Sequence, residues 1–140
     1  MKLFLVLLIT VALSVPSVVA GEICPIAFAD FLERFERNRL WQEKYIVYPL
    51  EHSWVDVDAN PEWETVYTTL SKLEVAGRKH PIYPSPQARK SIPLIMEVTI
   101  ASVGKRNVRL FKPDTGFLLK YSFQQVDGCW YLVKYEDWAV

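Results

Sequence analysis

Residues 117–136 read FLLKYSFQQVDGCWYLVKYE. Phe117, Leu119, Tyr121 and Phe123 recur at every second position, which puts them on one face of a strand. Asp127-Gly128 then supplies the residue pair that a tight hairpin turn prefers. Beyond the turn, Cys129–Glu136 is rich in aromatic and β-branched residues and reads as the returning strand, closing Phe117–Val126 into a hairpin. Upstream, Leu94–Ala101 alternates with Leu94, Met96, Val98 and Ile100 on one face, and Lys105–Phe111 is a further strand. Lys112-Pro113-Asp114-Thr115-Gly116 is the turn that leads from it to Phe117. The C-terminal half is therefore an antiparallel meander.

The N-terminal half reads differently. Phe28, Phe31, Leu32 and Phe35 recur at helical spacing, with Asp30, Glu33, Arg34, Glu36 and Arg37 around the remainder, so residues 25–38 form an amphipathic helix headed by Pro25. A stripe made almost wholly of phenylalanine suits packing across a broad sheet. Leu40–Lys44 is a transition into the short strand Tyr45–Tyr48, ended by Pro49, and Glu51–Val57 is a second, edge strand. Asn60-Pro61-Glu62 offers a cap, a first-turn proline and an acid. Trp63, Val66, Tyr67, Leu70 and Leu73 then trace one side of a helix over 61–74. Residues 77–93 hold four prolines and read as an extended loop along the surface, where a binding role is easily placed. Helices followed by a meander give an α+β domain.

Lys2 precedes the apolar run LFLVLLITVALSV and a small-residue stretch ending at Ala20, the pattern of a secretory signal peptide over residues 1–20. Its removal leaves one domain, 21–140, and no stable membrane span, since the apolar run falls short of the roughly 20 residues a span needs. Periplasmic or secreted localisation follows. In such a compartment Cys24 and Cys129, the two cysteines of the chain, read as a disulfide rather than a redox pair. The spacing of the cysteines with His52 and His80 matches no closed zinc site, so no metal and no cofactor are expected.

Without residues 1–20 the chain keeps 15 basic and 16 acidic residues. Residues 21–74 hold 5 basic against 11 acidic groups, whereas 75–112 hold 8 basic groups against Glu97 alone. A near-neutral balance and an export signal argue against nucleic acid. Serine-nucleophile, phosphate-loop and dinucleotide motifs do not occur. An acid–base enzyme would need a buried carboxylate with a proton donor opposite. Glu97 is the alternative catalytic candidate, with Tyr45, Tyr48, Tyr67 or Tyr121 as donor; the competing reading pairs Glu97 with Arg109 or Lys120 on a solvent-facing strand.

The phenylalanine-rich helix, Leu40-Trp41-Gln42, Tyr45–Leu50 and the closing Tyr121-Ser122-Phe123 … Asp127-Gly128-Cys129-Trp130-Tyr131-Leu132-Val133 resemble a family of small exported bacterial domains. That family is similar to the nuclear-transport-factor-like (cystatin-like) superfamily, whose cone-shaped α+β fold is shared with scytalone dehydratase, ketosteroid isomerase and polyketide cyclases. The resemblance implies a curved antiparallel sheet with helices on its concave face and a cavity at the open end of the cone. Under that geometry Trp41, Tyr45, Trp63 and Tyr67 flank the cavity mouth, and Arg78, Lys79, Tyr83, Arg89 and Lys90 lie on the adjoining basic loop. The expected role is noncatalytic binding of a protein partner, with neutralisation of that partner as one form. An isomerase- or dehydratase-like enzyme and a carrier of a small apolar ligand are the alternatives, and homodimer formation is left open.

Overall fold

The computed structural model describes residues 27–140. The expected signal peptide, Cys24 and Pro25 lie outside the described residues. Six strands form one curved, mixed sheet in the order β2-β1-β6-β5-β4-β3. The helices are α1 (Phe28–Arg37), α2 (Arg39–Lys44), α3 (Lys72–Gly77) and α4 (Pro86–Ser91). The strands are β1 (Ile46–Asp56), β2 (Glu64–Leu70), β3 (Ile95–Ser102), β4 (Lys105–Phe111), β5 (Leu118–Val126) and β6 (Cys129–Asp137).

The meander is as expected. β3, β4, β5 and β6 pair antiparallel in chain order, and both Asp127 and Gly128 adopt the positive φ of a tight turn, 50° and 80°. The first strand then joins the meander by running parallel to β6, with Ile46 opposite Leu132 and His52 opposite Tyr135. Register sorts the side chains into two faces. Val108, Leu110, Leu119, Tyr121, Phe123, Leu132 and Tyr135 point inward and are buried. Glu97, Arg109, Lys120 and Glu136 lie side by side on the outer face.

The phenylalanine stripe of α1 lies across the inner face, as its spacing predicts. Phe28, Phe31 and Phe35 each meet the Phe123 ring edge-on, with centroids 5.3, 5.8 and 5.4 Å away. Such tilted pairs align the positive ring edge with the negative ring face. Asn38 ends α1 and caps α2 by accepting a 3.0 Å hydrogen bond from the Trp41 N–H. The segment Leu40–Lys44, expected as a bare transition, is thereby a helical turn.

Three expectations are corrected. Tyr45–Tyr48 and Glu51–Val57 are not two strands but one, β1; Pro49 falls where the register shifts between Ile46 and Glu51, so its missing N–H breaks no ladder bond. The helix over 61–74 is instead strand β2 followed by the short α3. Thr65-Val66-Tyr67-Thr68-Thr69 is a run of β-branched and aromatic residues, and pairing with β1 from Leu50↔Leu70 to Asp56↔Glu64 overrides the helical spacing. The true helix start is Ser71, whose hydroxyl accepts from the Glu74 N–H while the Glu74 carboxylate accepts from the Ser71 N–H. Finally, residues 77–93 do not simply lie on the surface. Ile82 and Tyr83 are buried in the core, and Ser85-Pro86 starts α4.

Candidate functional site

The interior of the cone is occupied by the chain's own proline-rich segment. Prolines at 81 and 84 keep that segment out of helix or sheet, so its polar backbone needs partners from elsewhere. Gln42 supplies two of them. Its amide NH2 donates to the Tyr83 carbonyl at 3.0 Å, and its side-chain oxygen accepts from the Tyr83 N–H at 3.1 Å. The side chain thus acts as a single rung of strand pairing, and Gln42 itself is only 2% exposed. Tyr121 donates its hydroxyl to the Ile82 carbonyl at 3.0 Å. Arg39 on α2 donates to the carbonyls of Ala76 and Arg78, holding the approach to the loop.

With its backbone satisfied, the segment inserts Tyr83 beside Phe35 and Tyr121, at centroid distances of 5.9 and 4.7 Å. Tyr121 stacks on Tyr135 at 5.2 Å, Tyr135 on His52 at 4.8 Å, and His52 on Trp54 at 5.3 Å. A row of rings therefore crosses the inner face from α1 to β1. Burial pushes the hydroxyls of Tyr83, Tyr121 and Tyr135 well above the ordinary tyrosine range, so all three stay protonated as hydrogen-bond donors. For Tyr135 the neighbouring Asp137 carboxylate adds to the effect, and the hydroxyl donates to Asp137 Oδ2 at 3.2 Å. His52 goes the other way. Burial lowers its pKa, opposed by a 3.2 Å hydrogen bond from Nδ1 to the Tyr135 carbonyl, with Arg78 lowering and Asp137 raising it further.

What stays open is one end of the inner face. A cleft of about 510 Å³ lies there, walled by Arg78, Lys79 and His80 on one side and by Tyr135 and Asp137 on the other, over Ile82, Phe117 and Leu119. Two cations and a histidine face one carboxylate that already accepts a hydrogen bond from Tyr135. The floor is apolar. Such a cleft can hold an apolar group while its wall meets an anion. Among the described residues no group of three or more His, Cys, Asp or Glu could hold a metal ion.

The structure distributes the sequence-derived site residues over separate places. Arg78 and Lys79 line the cleft. Trp41 and Tyr45 do not flank its mouth: they are buried, their tilted rings 4.5 Å apart, with Tyr45 against Phe31. Trp63 and Tyr67 are 67% and 75% exposed, but on the outer side of β2, where Trp63 lines a groove with Val55 and Trp138. The expected aromatic mouth is dispersed because Tyr67 belongs to β2, with Trp63 just before it, and not to a helix over the sheet. Tyr83 is a core residue with no exposed surface, Arg89 pairs with Glu36 of α1, and Lys90 stands in solvent on α4. Glu97 is on the outer face, 47% exposed, with Oε2 3.2 Å from Arg109 Nη1. A buried general base at that position is therefore corrected to a surface ion pair across β3 and β4. Gln42, Phe117, Leu119, Tyr135 and Asp137 shape or line the cleft and were not singled out from sequence as binding residues. Each looks like ordinary helix or strand filling until the register is known.

No protein-family model matches the chain, and no curated protein is significantly similar to it. Among solved structures the chain is similar to an NTF2-like (nuclear-transport-factor-like) protein from Bacteroides fragilis NCTC 9343, with a TM-score of 0.58 and 22% identity over 81% of this chain. The chain spans 47% of that protein's length. A de novo designed protein from a set with diverse pocket structures gives a TM-score of 0.36 at 8% identity, over 77% of this chain and 91% of its own, a likeness too slight to carry an argument.

Proposed function

We propose that this chain, whose fold is NTF2-like, is a noncatalytic binding module that works in the periplasm or outside the cell and meets a protein partner at the open end of its cone. One observation carries the reading: Ile82 and Tyr83 fill the interior where an enzyme of this fold would need an enclosed pocket, while the end beside them stays open as a cleft. The wall of Arg78, Lys79 and His80 suits an acidic segment of the partner, and Phe117 and Leu119 suit an apolar side chain placed next to that acid. The expected Cys24–Cys129 bridge belongs to the same reading, since it would fasten the start of the domain to β6 in an oxidising compartment.

A second reading, a carrier of a small amphipathic anion, is favoured by the size of the cleft, which lies within the roughly 300–1,000 Å³ of ordinary ligand sites. Affinity capture from periplasmic extract, run beside native mass spectrometry of the isolated protein, separates the two. A protein captured by the wild type and lost with Arg78→Glu/Lys79→Glu supports the module. A retained anion lost with the same pair supports the carrier. Binding that survives the double substitution would remove the cleft from either role.

A further inference from the structure

The sheet ends at β3, and every residue of that strand is exposed. Strand edges in monomeric proteins are normally blunted by lysine, proline, a bulge or a covering element, because unpaired N–H and C=O groups recruit other strands. Among the described residues Ile95–Ile100 has none of these: IMEVTI carries one charge, Glu97, already matched by Arg109, and its register against β4 is regular, the one irregularity lying at Ala101 between Ile100 and Ser102. Met96, Val98 and Ile100 share the inner side, opposite Leu110, Val108 and Arg106, and Ile100 is 73% exposed.

We propose that this edge is a self-association surface: β3 pairs antiparallel with β3 of a second copy about a two-fold axis through Val98, joining two sheets into one. The axis follows from backbone geometry and charge. In an antiparallel pair, opposed residues both point their N–H and C=O toward the partner or both away, so a two-fold axis must pass through a residue. An axis at Glu97 sets two carboxylates face to face, which disfavours it. An axis at Met96 brings Pro93, which has no N–H, into the ladder, and one at Thr99 runs the pairing off the strand into the turn at Val103. The axis at Val98 pairs all seven residues from Ile95 to Ala101. It sets Glu97 opposite Thr99 and joins Met96, Val98 and Ile100 of both copies into one apolar strip on the inner side. The occupant is thus a second copy, because the strand complements itself in this register.

Seven residues a side bury less than the roughly 1,200 Å² of a standard stable interface, so association is weak and rises with concentration in the micromolar range. The test is sedimentation velocity of the mature chain purified from an exporting host, between about 1 and 100 µM, the range the small interface implies. The expected result is a monomer–dimer equilibrium. Thr99→Glu, which twice sets a second carboxylate opposite Glu97 of the other copy, weakens it at least tenfold. Thr99→Lys, which sets an ammonium group opposite the same Glu97, tightens it several-fold. Both substitutions are on an exposed strand, and unchanged circular dichroism and melting of each variant exclude misfolding as the cause. A chain that stays monomeric throughout overturns the proposal. So does a dimer that both variants leave alone or weaken alike, since it would use another surface. Amide protection of β3 on adding an extended foreign peptide to a monomeric chain would assign the edge to a different strand and equally overturn it.

Discussion

Replacing Gln42 tests whether the plugged interior depends on one side chain. Gln42→Ala leaves both the N–H and the C=O of Tyr83 buried without partners, because each now bonds to the Gln42 amide. An orphaned buried polar group costs about 1–3 kcal/mol, so the pair costs about 2–5 kcal/mol after partial relaxation. For a domain of this size that lowers the melting temperature by about 8–20 °C. Gln42→Glu sharpens the test, being nearly the same shape. Its carboxylate accepts from the Tyr83 N–H but has no proton for the Tyr83 carbonyl, and burial favours the protonated acid. The folded pKa of the introduced carboxyl therefore lies above its unfolded value. The folded state binds the extra proton between the two values, so the variant's stability is fully present below the unfolded carboxylate range, about 4.3, and is lost as pH rises. The assay is urea unfolding of wild type and both variants from pH 4 to 8. The Gln42→Glu deficit should shrink steadily toward pH 4 while that of Gln42→Ala does not. A Gln42→Ala protein within about 0.5 kcal/mol of wild type, a change no larger than an ordinary surface substitution, would refute the reasoning.

Two further outcomes follow from buried charge. His52 has a lowered pKa in the folded chain, chiefly through burial, so the unfolded state binds more protons below the ordinary value of 6.5. Stability is full above pH 6.5 and declines as pH falls from there; chemical unfolding at pH 7.5 and 5.5 should show that loss, and His52→Gln should reduce it. Glu36 and Arg89 tie α1 to α4 with side chains only 11% and 16% exposed. Arg89→Met leaves the Glu36 carboxylate uncompensated and costs about 3 kcal/mol or more. Glu36→Leu/Arg89→Met recovers most of that loss, as a double-mutant cycle in urea would measure.

The second half of the fold was legible because its signals are local. Lys105–Phe111 and the Asp127-Gly128 turn depend on neighbours a few residues away, and alternation alone put Tyr121 and Phe123 on one common face, which the structure buries. The first half was settled by partners far along the chain. Val66, Tyr67 and Leu70 fit a helical wheel well, yet β1 offered them a ladder, and β-branched threonines between them took it. Pro49 reads as a strand end unless the register shift beside it is known. The cleft was half legible. Arg78 and Lys79 stood out by charge, but the opposite wall comes from β5 and β6, and nothing around Gln42 announces that its amide serves a backbone 41 residues away. The aromatic count pointed to a mouth because large exposed rings suggest one; most of those rings turned out to be filling.

The side-by-side run of β1 and β6 has a consequence for how the molecule is born. Residues 94–137 can zip up from adjacent hairpins, whereas β1 must wait for β6, whose Tyr135 pairs with His52 from 83 residues further along the chain. Such distant pairing is slow to close. Until it does, the phenylalanines of α1 have only an unfinished platform beneath them, an interval in which a chaperone would find the nascent protein easiest to hold.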